Sequence, residues 1–460
     1  MSEKSKSQFF FILPFLFLIF FAIPIEHKYD KLFRFYSFTL IPSGLKLINF
    51  DPKIYFYVSD LLGIVFFITG IWQIRKRYHE RGALFLALLF MGALASIIAS
   101  PYCSYPVIYT RLLQFFTPLA LFFFLAHSTY PKERIFNVFA WSIFGMGLFE
   151  ALIAIRQYFN QHTLGLRLLG EQPLQATIPV ANGYRWLFDH WLHYSNGNTT
   201  IYRAIGTMPH PNVMGGFFAV ALMITAYFFF IYRKKRLWFG TAYFIIFFAM
   251  AVTYSRSAIF AYLISTSLWI LWTWARQKVF MRSIVVLSLA SGSIVGTLLH
   301  EQIYSRGGLV NYNQTSRQSD QERLIYQKVA IKMIQKHPVF GIGYEQFSSR
   351  TIDYLPKGTN LSKIHVYCVH NIFLLIASEM GLLSMGFFIF WVGLLVWRGL
   401  RANDSSLELA LLWSIFIGFL FIGCCDYYPI VFQQGKLLFF GIAGLLARFG
   451  CIERKELQMQ

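Results

Sequence analysis

Runs of mostly apolar residues recur along this chain at about 8–25, 53–74, 82–99, 106–126, 135–157, 213–232, 237–254, 257–275, 283–299, 370–397, 407–424 and 436–449. A helix crosses the hydrocarbon core of a bilayer with about 20 such residues. Lipid offers no partner to an exposed backbone N–H or C=O, so each run must satisfy its own hydrogen bonds as a helix. The pattern predicts an all-α polytopic membrane protein of about 12 transmembrane helices, with residues 1–460 forming a single membrane domain. Composition agrees, because 56% of the residues are hydrophobic and only 13% are charged, where a soluble protein carries about a quarter charged. A soluble enzyme, a disordered chain and a disulfide scaffold are excluded. The five cysteines, Cys103, Cys368, Cys424, Cys425 and Cys451, show neither metal-ligand spacing nor an even-numbered framework.

Charge sets the expected orientation. The segment MSEKSKS precedes the first apolar run, and no small-residue cleavage site follows it, so it reads as the cytoplasmic flank of an uncleaved helix. The loops RKRYHER (75–81), PKER (131–134), RKKR (233–236), RQKVFMR (276–282) and WRGLR (397–401) then fall on the cytoplasmic side. The opposite loops SPYCSY (100–105) and DYYPIVFQQG (426–435) contain no Lys or Arg up to their last residues, the asymmetry of the positive-inside rule. Both termini are expected in the cytoplasm. The net charge of +20 suits anionic lipid headgroups or an anionic lipid-linked substrate rather than nucleic acid.

Two long loops, 158–212 and 300–368, remain outside, and long loops in compact domains are usually functional. The second contains SDQERLIYQKVAIKMIQKH (319–337), where Ser319 and Glu322 have capping-box spacing and Ile325, Val329 and Met333 recur every four residues. The spacing predicts an amphipathic helix over 319–337, closed by Pro338 and lying over the membrane mouth.

Candidate chemistry concentrates in four segments. In RAIGTMPHPNVMGG (203–216), Gly206, Pro209 and Pro211 fix a rigid helix start that Asn212 can cap. Arg203 and His210 then sit at the outer membrane surface, where Arg203 can hold an anionic headgroup. In TYSRSA (253–258), Arg256 lies on the side the positive-inside rule does not explain. It is either a lipid-phosphate anchor or a guanidinium facing a diphosphate, whose oxygens suit its planar fork. Arg323 opens the amphipathic segment as a solvated charge or an anion grip, ahead of HPVFGIGYEQF (337–347). In HVYCVHNIFLLIASEMGLLSMG (365–386), His370 and Asn371 open a span, and His370 reads as a cap or as a base. Glu379 follows nine residues later, about 13.5 Å along a straight helix and on its opposite face, so it is no simple partner for His370. Gly381 and Gly386 permit a break there. Asp60, Arg111 and Glu150, inside spans, read as buried pairing such as Asp60 with Arg111, or as lining of a substrate path.

At these segments the chain resembles the O-antigen ligase and polymerase superfamily of bacterial envelope glycosyltransferases. The carrying residues are Arg203 with GTMPHPN (206–212), SRSA (255–258), Arg323 with HPVFGIG (337–343), and His370, Asn371, Leu374, Glu379 and Gly381. The resemblance implies a multi-pass inner-membrane enzyme with its site at the periplasmic face, free of metal and cofactor. It would move a glycan, with inversion, from undecaprenyl diphosphate to an acceptor hydroxyl such as that of lipid A core. Carried over by position, Arg256 and Arg323 would grip the diphosphate and His370 would be the general base. Arg203, His210, Asn371 and Glu379 would help bind substrate. One departure stands out: the family often has a second His two residues before the His-Asn pair, where this chain has Cys368. A polymerase joining lipid-linked repeat units needs the same grip and base. A 12-helix transporter or flippase is the reading from a different class, but it would predict paired repeats with broken helices in both halves, and none is visible.

Overall fold

The computed structural model describes residues 81–100, 105–166, 169–174, 177–179, 200–274, 277–300, 314–356, 367–402 and 406–450, besides isolated positions in 63–69 and at 303. Among the described residues, regular structure is helical apart from one short antiparallel pair, β1 (Thr177–Pro179) and β2 (Thr200–Tyr202). The helices are α1 (Arg81–Ala99), α2 (Tyr105–His127), α3 (Lys132–Asn160), α4 (Pro211–Ile231), α5 (Arg236–Val252), α6 (Arg256–Thr273) and α7 (Lys278–Leu298). They continue with α8 (Gln314–Lys336), α9 (Phe347–Arg350), α10 (Ile372–Arg401), α11 (Leu407–Cys425), α12 (Tyr428–Val431) and α13 (Gln433–Phe449). Ten of them fall on ten of the apolar runs. Among the described residues, six stretches, Lys132–Asn160, Pro211–Ile231, Arg233–Val252, Met281–Leu298, Ile372–Arg401 and Leu407–Cys425, are long and apolar enough to cross a membrane. The runs at 8–25 and 53–74, and the pairing of Asp60 with Arg111, lie outside the described residues.

The amphipathic helix in the second loop forms, but it starts at Gln314 rather than at Ser319. Ser319 and Glu322 therefore stand inside the helix, not at its cap. Its inward residues Tyr326, Val329, Ala330 and Met333 pack with Ile342, Phe347, Tyr354, Val369 and Leu375 in a small core of their own.

Helix α4 is apolar nearly all round and buried from Val213 to Phe228, as expected of a helix at the centre of a bundle. It is surrounded by α3, α5 and α6, while α11 packs on α6, α13 on α2, and α10 on α1. Glu150 of α3 is buried and accepts from the Thr207 N–H at 3.0 Å and hydroxyl at 2.5 Å. It thereby anchors the 203–210 turn to the bundle.

One constraint shapes the region of interest. Helices α10 and α11 meet at both ends: Asn371 Nδ2 donates to Cys424 O at 3.2 Å, and Trp413 Nε1 donates to Val396 O at 3.2 Å. At 1.5 Å per residue, 372–396 of a straight helix spans about 36 Å, whereas 413–423 of α11 spans about 15 Å. A straight α10 cannot make both contacts, and α10 is broken at Gly381, with φ 85° and ψ 169°.

A broken turn frees backbone groups that must find other partners. The HPVFGIG segment supplies them: Leu382 N donates to Pro338 O at 2.8 Å, Ile342 N to Ser378 O at 2.9 Å, and Gly343 N to Glu379 O at 3.0 Å. The Glu379 carboxylate completes the join by accepting from Glu345 N at 3.0 Å and Phe347 N at 2.9 Å. The approach leaves no room for side chains at two glycines. A Cβ on Gly381 would lie 1.8 Å from Val339 O, and one on Gly341 would lie 2.3 Å from the Glu379 carbonyl carbon.

Gly381→Ala is expected to destabilise the fold by about 1–3 kcal/mol from backbone strain alone, with the clash in addition. Gly386→Ala, where an added Cβ meets nothing within 4 Å, should be neutral or stabilising. Thermal unfolding of the two variants in one detergent checks this, and equal midpoints would refute the role given to Gly381.

Candidate active site

The site is assembled at the N-terminal ends of α4, α6 and α10 and the C-terminal end of α11. Asn371 is the N-cap of α10: its Oδ1 accepts from Phe373 N and Leu374 N, both at 3.0 Å, which satisfies two of the orphan donors of a helix start. With its Nδ2 on Cys424 O, Asn371 fixes the backbone that carries His370. The His370 imidazole lies between two tyrosines, 6.4 Å from the ring of Tyr326 on α8 and 4.9 Å, edge-on, from the ring of Tyr427. Three residues before Tyr326 on the same helix, Arg323 reaches Cys425 O with Nη1 at 3.5 Å.

Asp426 provides the opposing charge. It is the C-cap of α11, 4% exposed, and its backbone N–H donates to Ile422 O at 2.7 Å. Its Oδ1 accepts from Tyr427 N at 2.8 Å and its Oδ2 from Asn212 Nδ2 at 2.7 Å. Asn212 Oδ1 in turn accepts from Arg203 Nη2 at 2.7 Å, and Arg203 Nε donates to Thr253 O at 2.6 Å. His210 caps α4, its Nδ1 accepting from Asn212 N at 3.1 Å, with Pro211 at the first helical position, where no N–H is needed. A continuous polar chain thus runs from the α5–α6 corner through Arg203 and Asn212 to Asp426, beside His370. Arg256 is exposed at the first turn of α6, three residues beyond the carbonyl that Arg203 holds.

The structure therefore brings Arg203, His210, Arg323, His370 and Asn371 into one region, with Arg256 at its α6 corner. It does not bring Glu379 there, since that carboxylate is committed to the amides of the 345–347 turn. Sequence reasoning passed over Asp426, Tyr427 and Tyr326. Asp426 is the sole acid of DYYPIVFQQG, a loop read only for its lack of Lys and Arg; an unexplained acid at a helix end was the available signal.

Burial pulls His370 well below its ordinary range, to about 4; the nearby Asp426 carboxylate pushes it up and the Arg323 guanidinium pushes it further down. Burial, with Asp426 behind it, also holds the Tyr427 phenol protonated far above the usual tyrosine range. At neutral pH His370 is a neutral imidazole. Two buried nitrogens here, His370 Nδ1 and Arg323 Nε, have no hydrogen-bond partner among the described residues, a costly arrangement that buried polar groups seldom show. Among the described residues no three His, Cys, Asp or Glu side chains converge as metal ligands would.

The described fold is mostly helical, with a neutral imidazole between an arginine and a buried carboxylate at the ends of its apolar helices. Residues 241–391 match the family model described as O-antigen ligase, so this stretch of the chain is similar to that family. The matched stretch runs from α5 past the break in α10 and carries Arg256, Arg323, His370, Asn371 and Glu379, while Arg203, His210 and Asp426 lie outside it. No curated protein matches the chain.

A His that folds with a lowered value binds its proton more tightly when unfolded, so the unfolded state holds more protons between about pH 6.5 and pH 4. Stability should fall as pH drops through that window and stay flat above it. The His370→Gln variant should lack this limb of the pH–melting curve; an unchanged limb would show that His370 is not buried as described.

Proposed function

We propose that the protein is a membrane glycosyltransferase of the O-antigen ligase type, acting at the periplasmic face of the bacterial inner membrane with both termini in the cytoplasm. Loops 158–212 and 300–368 would roof its vestibule. The donor would be a glycan on undecaprenyl diphosphate and the acceptor a hydroxyl of lipid A core or of another surface glycan. The observation that carries this reading is the pair of unpartnered buried nitrogens, His370 Nδ1 and Arg323 Nε, at one place. An imidazole needs a hydroxyl proton to accept, and a guanidinium needs an anion to bind.

The chemistry follows from those two needs. As the acceptor O–H attacks the anomeric carbon, the new C–O bond forms on the face opposite the breaking bond, inverting the centre. The proton passes to His370, and the diphosphate leaves with the bonding electron pair. Arg323 and Arg256 stabilise the leaving charge, so in this reading the step needs no metal. A diphosphate bound to Arg323 offsets the cation that depresses His370 and raises its basicity when the donor is in place. Asp426 steadies the imidazolium as it forms. Arg203, first read as a headgroup binder, is 4% exposed and bonded to Thr253 and Asn212; we assign it to positioning Asp426. Glu379 we assign to holding the 338–347 turn under α10.

His370→Ala, Arg323→Ala and Arg256→Ala should each lower transfer by about 10²–10³ while inserting normally, and near-normal surface glycan in all three would refute the site. The length of carrier-linked glycan in a His370→Ala strain separates the alternatives. Long polymer stranded on the carrier means failed attachment and a ligase. Single repeat units mean failed extension and a polymerase. An unchanged profile removes His370 from the mechanism and favours a transporter.

A further inference from the structure

The segment that repairs the break in α10 also lies where the hydrocarbon of a membrane ends. From Leu382 to Arg401 the second limb of α10 has about 20 residues and is about 30 Å long, the thickness of a hydrocarbon core. Its far end carries Trp397, exposed, with the Arg401 guanidinium 5.0 Å from the centre of the ring. Aromatic and basic residues together mark a bilayer interface. The near end, at Leu382, therefore stands at the other edge of the core, on the side of the candidate site. A second helix ends at the same level: Ser100, just after α1, donates through Oγ to Ile342 O at 2.7 Å, and Tyr344 N donates to Ser96 Oγ at 3.1 Å. The 338–344 segment thus runs along the membrane edge. Helix α8 runs with it, since Arg323 reaches the carbonyl of Cys425, the last residue of α11.

At this level the chain turns two apolar side chains outward. Val339 is 54% exposed and Phe340 48%, while Leu382 and Leu383 of α10 are 43% and 60% exposed. Backbone contacts set the two pairs side by side: Leu382 N donates to Pro338 O at 2.8 Å, and a Cβ on Gly381 would meet Val339 O at 1.8 Å and Phe340 N at 2.9 Å. Leu382 and Leu383 belong to a stretch apolar enough to cross a membrane, so lipid covers them there and reaches the neighbouring turn. The turn itself is held, because Gly341 N donates to His337 O at 3.0 Å and His337 Nε2 meets Tyr354 Oη at 3.1 Å. A rigid turn that keeps a valine and a phenylalanine outside its own core needs an apolar partner to cover them. Just before it, Lys328, Lys332 and Lys336 recur every fourth residue on the exposed side of α8, and their long stems can carry charge into an anionic headgroup layer. The same lysines would set like charges against each other if a second copy docked here about a two-fold axis.

We propose that Val339 and Phe340 are a membrane anchor, inserted among the acyl chains at the edge of the leaflet on the site side, with the lysines of α8 at the headgroups. The partner is the lipid surface as a whole, and no individual lipid is selected. The anchor ties one end of α8 to the bilayer, while Arg323 ties the other to the end of α11. Arg323 and Tyr326 are thereby held at a set height above the hydrocarbon. The bearing of that height on transfer rests on the function proposed above; the anchor does not.

The test is photocrosslinking of the full-length protein in native membranes and in nanodiscs of phosphatidylethanolamine and phosphatidylglycerol. The photoreactive residue p-benzoylphenylalanine replaces Phe340, Leu383 or Asp353 in turn, and mass spectrometry identifies the adducts. Lipid adducts are expected at 340, as at 383 in the spanning stretch, and none at 353, an exposed acid paired with Arg350. If the probe at 340 disturbs folding, Val339 takes it instead. With the probe at 339, Phe340→Asp should cut the lipid adduct about 10-fold, whereas Phe340→Leu should keep it. Absence of lipid adducts at both 339 and 340 overturns the proposal, and so does crosslinking there only to a second copy or to another protein. An equal lipid adduct at 353 overturns it too, because no particular turn would then be the anchor. His370→Ala should lose transfer and keep the adduct, so failure of the anchor and failure of the catalytic reading give different results.

Discussion

Backbone hydrogen bonding inside a membrane protein is the constraint on which this architecture rests. Helix α10 cannot be straight, because its contacts with the shorter α11 fix both of its ends, and breaking it at Gly381 exposes carbonyls and amides that lipid cannot satisfy. The 338–343 segment is laid against the break and satisfies them. From that single repair follow the need for glycine at positions 341 and 381, the capture of the 345–347 turn by Glu379, and the placement of α8 beside the first limb of α10. His370 and Arg323 then meet at one end of the repaired element, and Val339 and Phe340 stand at the other.

Electrostatics decides how the site is tuned. Arg203 and Asp426 are both buried, and each alone would be costly to desolvate. Asn212 joins them through one acceptor and one donor, so the charges compensate across the helix ends. Arg323 is less well served, its Nε lacking any partner among the described residues. The fully bonded arginine and the one with an unpartnered nitrogen are thus told apart by their hydrogen bonds rather than by their position at a helix end.

Much of this was legible in the sequence. The apolar runs located the described spanning helices, and the prolines of 206–212 located the start of α4. The four-residue recurrence of Ile325, Val329 and Met333 located α8, although its start was misplaced because Ser319 and Glu322 imitate a capping box within the helix. The nine-residue spacing kept Glu379 from being read as a partner of His370, but the resemblance made it a substrate binder, whereas its carboxylate is taken up by the amides of Glu345 and Phe347. Asp426 was missed because its partners, Asn212 and His370, are distant in the chain and no local pattern joins them.

The sequence by itself determined that the chain is helical, belongs in a membrane, and concentrates arginine, histidine and asparagine at helix starts, because lipid forces apolar segments to close their own hydrogen bonds and caps are chosen locally. Only the tertiary structure decided which of those side chains are bonded away and which keep a buried atom without a partner among the described residues. Arg203, Arg323 and Glu379 look alike as isolated charges near helix ends. Their roles diverge through neighbours contributed by α4 and the α5–α6 corner, by α11 and by the 345–347 turn, and burial makes each of those neighbours decisive.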